Sequence, residues 1–300
     1  MAASTSRAVG AFVRGVARTM PRLALRDHGG ASLGKIDYER AVEDHEVYVK
    51  ALERALGGSD RVVRIDADDD QADCVFIEDA AIFAGGKLLL TRPGAVSRQG
   101  EIVGLRDTMM NSETMMKEIS QVADMQVDAA ENATVDGGDV MCTGRHMLVG
   151  LSDRTNAAGA AFLEDYFGSV VDVVVVPPPK LEGATLHLKC ALTHIDAFNA
   201  VVASTPGALA TCQAVNAAIK TSSSPDPYSF HSVGSEDIFA NVVRVNETLI
   251  VPESPSPKAQ ECYSHILAAD TGIEEIVQVP WREFAKADGS LTCRSVIIRE

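Results

Sequence analysis

Ala240-Asn241-Val242-Val243-Arg244-Val245-Asn246-Glu247-Thr248-Leu249-Ile250-Val251, followed by Ser256-Pro257 and then by Ile276-Val277-Gln278-Val279, decides how this 300-residue chain folds. The first part is two short apolar runs that meet at Asn246-Glu247, a turn signal, so it reads as a hairpin. A proline just behind a serine or threonine marks a helix start. Its fixed φ suits the first helical turn, and its missing N–H is not needed there. Ile276–Val279 has strand length and β-branched side chains. The unit is therefore hairpin, helix, strand, and it cannot bury its apolar faces alone.

The unit recurs along the chain. Glu39–Leu56 places Val42, Val49, Leu52 and Leu56 on one helical face, and Gly57-Gly58 closes it. Further helices are expected to start near Arg98, near Arg154 after Ser152, at Pro206 behind Thr205, and at Pro257. The starts at 39, 98, 154, 206 and about 257 lie 59, 56, 52 and roughly 50 residues apart. Strands are expected at Val62–Ile65, Val170–Val176 and Ile276–Val279, and hairpins at Cys74–Thr91, Asp139–Leu151, Leu186–Ser204, Ala240–Val251 and Leu291–Ile298. Five units around an axis, with the N-terminal strand pairing the C-terminal one, predict an α/β propeller-like fan in a single domain over residues 1–300. The competing fold is an open doubly wound sheet, but no Gly-x-Gly-x-x-Gly follows a strand and no phosphate loop is present. Thr221–Asp237 and Pro252–Pro257 read as loops. A stretch from about residue 21 to 36, with Gly29, Gly30 and Gly34, reads either as a mobile lid or as an ordinary surface loop.

Net charge is −15, which argues against nucleic acid as a partner and favours a small cationic one. No apolar run is long enough to span a membrane. Six cysteines without a Cys-x-x-Cys pair point to reduced thiols and a cytoplasmic protein. Residues 1–26 carry Arg7, Arg14, Arg18, Arg22 and Arg26 and no acid, a composition that also suits mitochondrial targeting; the alternative is a first strand at Ala11-Phe12-Val13.

Three groups carry chemistry. Cys293 follows the Asp288-Gly289 turn and precedes an apolar strand. It competes with Cys74, Cys142 and Cys190 in apolar runs and with Cys212 and Cys262 on helices, where packing is the ordinary role of a thiol. His187 lies in an alternating Leu186-His187-Leu188-Lys189 strand, where a core histidine is the plain alternative. Glu78 and Asp79 close the run Val75-Phe76-Ile77; on a continued strand they would face opposite ways, and only a bend would aim both into one pocket. Asp136-Gly137-Gly138-Asp139 sets two acids beside a tight turn, although not at calcium-loop spacing. A thiol, an imidazole and clustered carboxylates are the parts needed to attack a cationic carbon, so the chain reads as a cysteine hydrolase acting on a guanidinium.

Six motifs in order resemble the dimethylarginine dimethylaminohydrolase family. They are Asp73–Asp79, Thr91–Arg98, Glu131–Asp139, Val149–Asn156, Leu186–Lys189 and Asp288–Cys293. The resemblance implies the five-bladed α/β propeller of the guanidine-modifying enzymes (penteins), in agreement with the repeat. It implies hydrolysis of Nω,Nω-dimethyl-L-arginine or Nω-monomethyl-L-arginine to citrulline and the methylamine, without a cofactor. An arginine deiminase and a non-catalytic binding propeller are the alternatives. By the same resemblance Cys293 is the nucleophile, His187 the general acid and then base, and Asp136 its orienting acid. Glu78 and Asp79 grip the guanidinium, and Arg98 and Arg154 position the substrate, most simply by its carboxylate. Asp73 and the Leu25 backbone meet the α-amine, and Ala287 and Asp288 line the pocket. The Cys190 thiol stands where many relatives carry a small hydroxyl. No structural metal is expected; Cys293 with His187 offers two ligands, enough for an inhibitory zinc but short of the four of a structural site. The protein is expected to be a monomer or homodimer.

Overall fold

The structure, a computed structural model, describes residues 6–26, 29–178, 186–254 and 256–300. Five three-stranded sheets stand around one axis. Four are built alike, as an antiparallel hairpin whose second strand takes up a parallel third one. Their strands are β3 (Ala81–Ala84), β4 (Lys87–Leu90) and β5 (Gln121–Asp124); β6 (Val140–Cys142), β7 (His146–Gly150) and β8 (Asp172–Val176); β9 (Leu192–His194), β10 (Asn199–Val202) and β11 (Ser229–Ser232); and β12 (Val243–Val245), β13 (Thr248–Pro252) and β14 (Glu275–Val279). The remaining blade joins the chain ends. There β1 (Ala8–Arg14) pairs antiparallel with β15 (Val296–Arg299) and parallel with β2 (Val62–Ile65). The five-bladed propeller and its closure are as expected, and the first-strand reading of Ala11–Val13 is the one the fold uses.

Local signals explain the elements that were foreseen. The Gly85-Gly86 turn has φ of 53° and 77°, the left-handed pair that a tight hairpin requires. Asn246, at φ 55°, turns the β12–β13 hairpin. Thr205 Oγ1 accepts the Ala208 amide at 3.2 Å and caps the helix Pro206–Ala218, while Pro257 opens Pro257–Ala268.

Several elements differ from expectation. The helix Tyr38–Leu56 turns His45, Tyr48, Val49, Leu52 and Leu56 inward, but Val42 is exposed. Near Arg98 the chain makes 3-10 turns over Val96–Ile102. The helix begins only at Leu105, after Gly104 at φ 76°. Ser152 caps a turn by accepting the Arg154 and Thr155 amides, so the next helix starts later, at Ala157, with Asn156 as its cap. Cys74–Asp79 and Leu186–Ala191 are turns and a short helix rather than hairpin strands. The proposed Leu291–Ile298 hairpin is one strand, β15, and the expected loop Thr221–Asp237 contains β11. Of the expected loop Pro252–Pro257, Pro252 belongs to β13 and Pro255 lies outside the described residues. No described helix is long and apolar enough to cross a membrane.

The helix Tyr38–Leu56 packs between two blades, with Tyr48, Val49 and Leu52 clustered with Ala11 and Val13 of β1 and with Val243 and Ile250 of the preceding blade. Phe12, on the other face of β1, clusters with Ile298, Leu88 and Leu90. Phe12 is fully buried at the ring closure. Phe12→Ala should therefore cost about 3–5 kcal/mol, the usual cost of emptying a buried aromatic site, read as a lower midpoint in urea with unchanged slope.

Candidate active site

Each inner strand of the ring is entered from the same end of the axis, and the segments just before these strands carry the polar residues. Asp79 precedes β3, Asp136 precedes β6, His187 precedes β9 and Cys293 precedes β15. All four line one cavity of about 30 Å³, together with Leu25, Asp73, Arg98, Arg154, Ala287 and Asp288. Ten of the eleven expected site residues thus converge. Glu78 does not line this cavity.

His187 is not in a strand; it is the extended residue that starts the short helix Leu188–Ala191. Its Nε2 lies 3.0 Å from Asp136 Oδ2. Asp136 is itself fixed, since Oδ1 accepts the Gly94 amide at 2.8 Å and its own amide donates to Thr155 Oγ1 at 3.1 Å. Leu188 N donates to Asp139 Oδ1 at 2.9 Å, and Asp139 Oδ2 accepts from Ser152 at 2.6 Å, so the second acid of the Gly-Gly turn anchors the helix. A Cβ at Gly138 would lie 2.5 Å from His187 Nδ1, so the imidazole needs glycine there. Burial opposes a charge on His187. The charges of Asp79 and Asp139 and the bond to Asp136 outweigh it and hold the imidazole well above its usual range, hence protonated at neutral pH.

Asp79 is buried and ion-paired, with Oδ2 2.6 Å from Arg98 Nη1 and Oδ1 accepting the Gly138 amide at 2.9 Å. Against the cost of burial, His187 and Arg98 hold its carboxyl below the usual range. Arg98 is also buried and makes a second, bidentate pair with Glu101 at 2.8 Å for both bonds. Most of its donors are therefore spent on protein carboxylates and on the Phe76 carbonyl. Glu101 carried no sequence signal beyond its place three residues after Arg98.

The two adjacent acids part company. Ile77–Asp79 forms a 3-10 turn, and Glu78 points away from Asp79 to Lys189 Nζ at 2.5 Å and Thr292 Oγ1 at 2.8 Å. Expecting both carboxylates in one pocket required a bend that aligned them, and this turn separates them instead.

Cys293 sits in a 3-10 turn, Thr292–Arg294, just before β15. Asn241, unremarked in the sequence, holds this turn: its Oδ1 accepts the Thr292 amide at 2.9 Å, and its Nδ2 donates to the Lys189 carbonyl at 3.0 Å. Arg294 is fully buried between the Tyr48 and Phe284 rings, at 4.3 and 4.4 Å from their centres. Burial, then the charges of Glu78 and Asp79, push the Cys293 thiol up to about 12, with His187 acting against them. Cys74 and Cys190, expected in strands, lie in a turn and on the short helix.

The loop over the cavity is tied at several points. Leu25 N donates to Asp73 Oδ2 at 3.0 Å, and Gly30 N to Asp288 Oδ1 at 2.6 Å. Arg26 Nε donates to the Lys286 carbonyl at 2.5 Å, and its Nη2 to the Gly30 and Gly34 carbonyls. Asp288 is one of two described non-glycine residues in the left-handed region, at φ 56°. Asp27 and His28, within the expected lid, lie outside the described residues.

One group of three metal-capable side chains stands beside the cavity. Among the described residues Asp79, Asp136 and His187 form a group of three donors within 4.8 Å of one another, and Cys293 is not a member of it. Removing Arg98 would strand two buried carboxylates. Arg98→Ala should lower stability by about 3–5 kcal/mol in denaturant unfolding, well beyond an exposed ion pair.

The arginine deiminase family pattern matches residues 67–256. The N(G),N(G)-dimethylarginine dimethylaminohydrolase of Streptomyces coelicolor is 32% identical over 95% of this chain and 96% of its own. That of Pseudomonas aeruginosa is 29% identical over 94% and 97%. A solved structure of the Pseudomonas aeruginosa DDAH, a cysteine-to-serine variant complexed with citrulline, matches with a TM-score of 0.75 at 25% identity, covering 97% of this chain and 99% of that one. Alike in sequence along nearly its whole length and alike in fold, this chain belongs to the arginine deiminase family, in its dimethylarginine dimethylaminohydrolase branch.

Proposed function

We propose that this protein hydrolyses Nω,Nω-dimethyl-L-arginine, and Nω-monomethyl-L-arginine, to L-citrulline and dimethylamine or methylamine. The observation that carries the reading is the convergence of a thiol, a protonated imidazole on its own carboxylate, and a second buried carboxylate on one cavity. The names of the relatives point the same way.

In this reading Asp79 receives the guanidinium, held in place by Arg98. Arg154, with whatever donors Arg98 has left, meets the substrate carboxylate. Asp73 and the Leu25 backbone meet the α-amine, and Ala287 and Asp288 close the wall. Glu78 acts at one remove, by fixing Thr292 beside the nucleophile. The substrate cation enters beside Cys293 and favours the thiolate, whose proton leaves to solvent. The thiolate adds to the guanidinium carbon, giving a tetrahedral adduct. The departing dimethylamine needs a proton, and the His187 imidazolium supplies it as the C–N bond breaks. The neutral imidazole, steadied by Asp136, then takes a proton from water as the water attacks the thiouronium carbon. Collapse breaks the C–S bond and frees citrulline. The segment of about 21–36 is the lid of this reading, and its opening breaks the Arg26, Gly30 and Leu25 bonds that cover the cavity.

Incubation with dimethylarginine should release citrulline and dimethylamine in equal amounts, and Cys293→Ser should abolish both. Ammonia from unmethylated arginine, with no dimethylamine from the methylated substrate, would replace this reading by an arginine deiminase. Folded protein releasing neither would favour a binding propeller.

The raised thiol gives a second expectation. Because its pKa lies above the ordinary value, Cys293 is neutral at pH 7, and thiolate absorbance near 240 nm should grow only in alkaline solution. A cationic, unreactive substrate analogue should shift that rise to lower pH. A Cys293-dependent thiolate signal titrating well below pH 7 without ligand would contradict the assignment.

A further inference from the structure

Behind the reaction cavity lies a second one, of about 120 Å³, on the axis of the ring. It is lined by the inner strand of every blade, β3, β6, β9, β12 and β15. The Glu78–Lys189 pair and Thr292 form its end next to the reaction cavity. At the other end of β15, remote from Cys293, stands the half-buried Arg299.

The charges of this lining do not balance. Its ionisable side chains include one carboxylate, Glu78, and three cations, Lys189, Arg244 and Arg299, leaving a surplus of two positive charges. Lys189 and Glu78 cancel. Arg244 donates to the backbone carbonyls of Ile195, Asn246 and Thr271, and the acids that act on it, Asp196 and Glu247, lie outside the cavity lining. Arg299 donates only to the Ser6 and Arg244 carbonyls among the described residues. Burial, then the neighbouring Arg244, pull Arg299 down to about 10, so it stays charged at neutral pH. His194, in the same lining, is pulled down to about 3 by burial and then by Arg299, Lys189 and Arg244; three cationic fields meet where it sits, and the ring stays neutral. Most other lining side chains are apolar, such as Ile82, Phe83 and Val140. Among the described residues Arg299 meets carbonyl dipoles but no carboxylate, which leaves this cation electrostatically incomplete.

We propose that the axial cavity is an anion-binding site, which takes one small inorganic anion against Arg299 and His194 by way of the ring face remote from the reaction cavity. The anion would join β15 to β9, an inner strand across the axis from it, and so strengthen the ring. The site is independent of the reaction proposed above.

Bromide is the probe. Replacing gluconate by bromide at constant ionic strength should raise the melting temperature of the whole protein to a saturating limit, as binding to the folded state requires. Arg299→Gln should remove that rise. An equal rise in Arg299→Gln, or none in the wild type, overturns the proposal. A second measurement needs no variant: anomalous scattering from bromide-soaked wild-type crystals should show a peak in the axial cavity, within hydrogen-bond distance of Arg299. Peaks confined to the outer surface or to the reaction cavity would refute the site even if Arg299→Gln fails to fold.

Discussion

Pairing of β15 with β1 is the constraint on which the site depends. These strands come from opposite ends of the chain, and their ladder turns an open fan into a ring. Without it Cys293 would hang from a free edge, whereas His187, Asp136 and Asp79 arise within continuous blades. Closure is supported from both faces of β1: Phe12 packs with Ile298 on one, while Ala11 and Val13 meet the helix Tyr38–Leu56 on the other. The same helix reaches the nucleophile. Tyr48 stacks on Arg294 and shares a 2.7 Å hydrogen bond with Ser295, so core packing and the placing of the thiol are one arrangement.

A ring whose inner strands all start at one end concentrates polar residues there, and the fold must keep them apart as well as bring them together. It does so with ion pairs of different destinations. Asp79 and Arg98 belong to the reaction cavity, while Glu78 and Lys189 stand against the axial one. One turn of 3-10 helix separates two neighbouring carboxylates that would otherwise repel each other in one pocket. Asn241, just before β12, completes the partition by bonding both Lys189 and Thr292.

What the sequence disclosed follows from where the determining forces lie. Helix starts at Pro206 and Pro257 and the turns at Gly85-Gly86 and Asn246 are local, since proline, glycine and asparagine constrain their own backbone wherever they stand. Strands β5 and β11 left almost no trace. They are the outer strands of their blades, mostly exposed or half-buried, so no alternation marks them. Val42 shows the limit of periodicity: it fits the helical stripe, yet it is exposed while Ala41 beside it is fully buried. The residues lining the cavity came from motif resemblance and converge with the exception of Glu78. Its direction is set by Lys189, 111 residues away, and such a pairing has no local signature.

The charge states of the site argue for a substrate that completes it. A cysteine and a histidine in one cavity often rest as a thiolate–imidazolium pair, but here they do not. Burial and two carboxylates hold the thiol neutral, and the Asp79 and Asp139 charges, with the bond to Asp136, hold the imidazole charged. The resting cavity therefore has its acid ready and its nucleophile silent. A neutral ligand would leave both as they are. A guanidinium against Asp79 weakens the negative field at sulfur and adds a positive one, so the attacking form appears only beside the carbon it attacks. The same cation repels the proton on His187, which favours its transfer to the leaving amine. The carboxylates that raise the thiol in the empty enzyme are then the ones that bind the charge which lowers it, and selectivity for a cationic carbon follows from the resting protonation of the site.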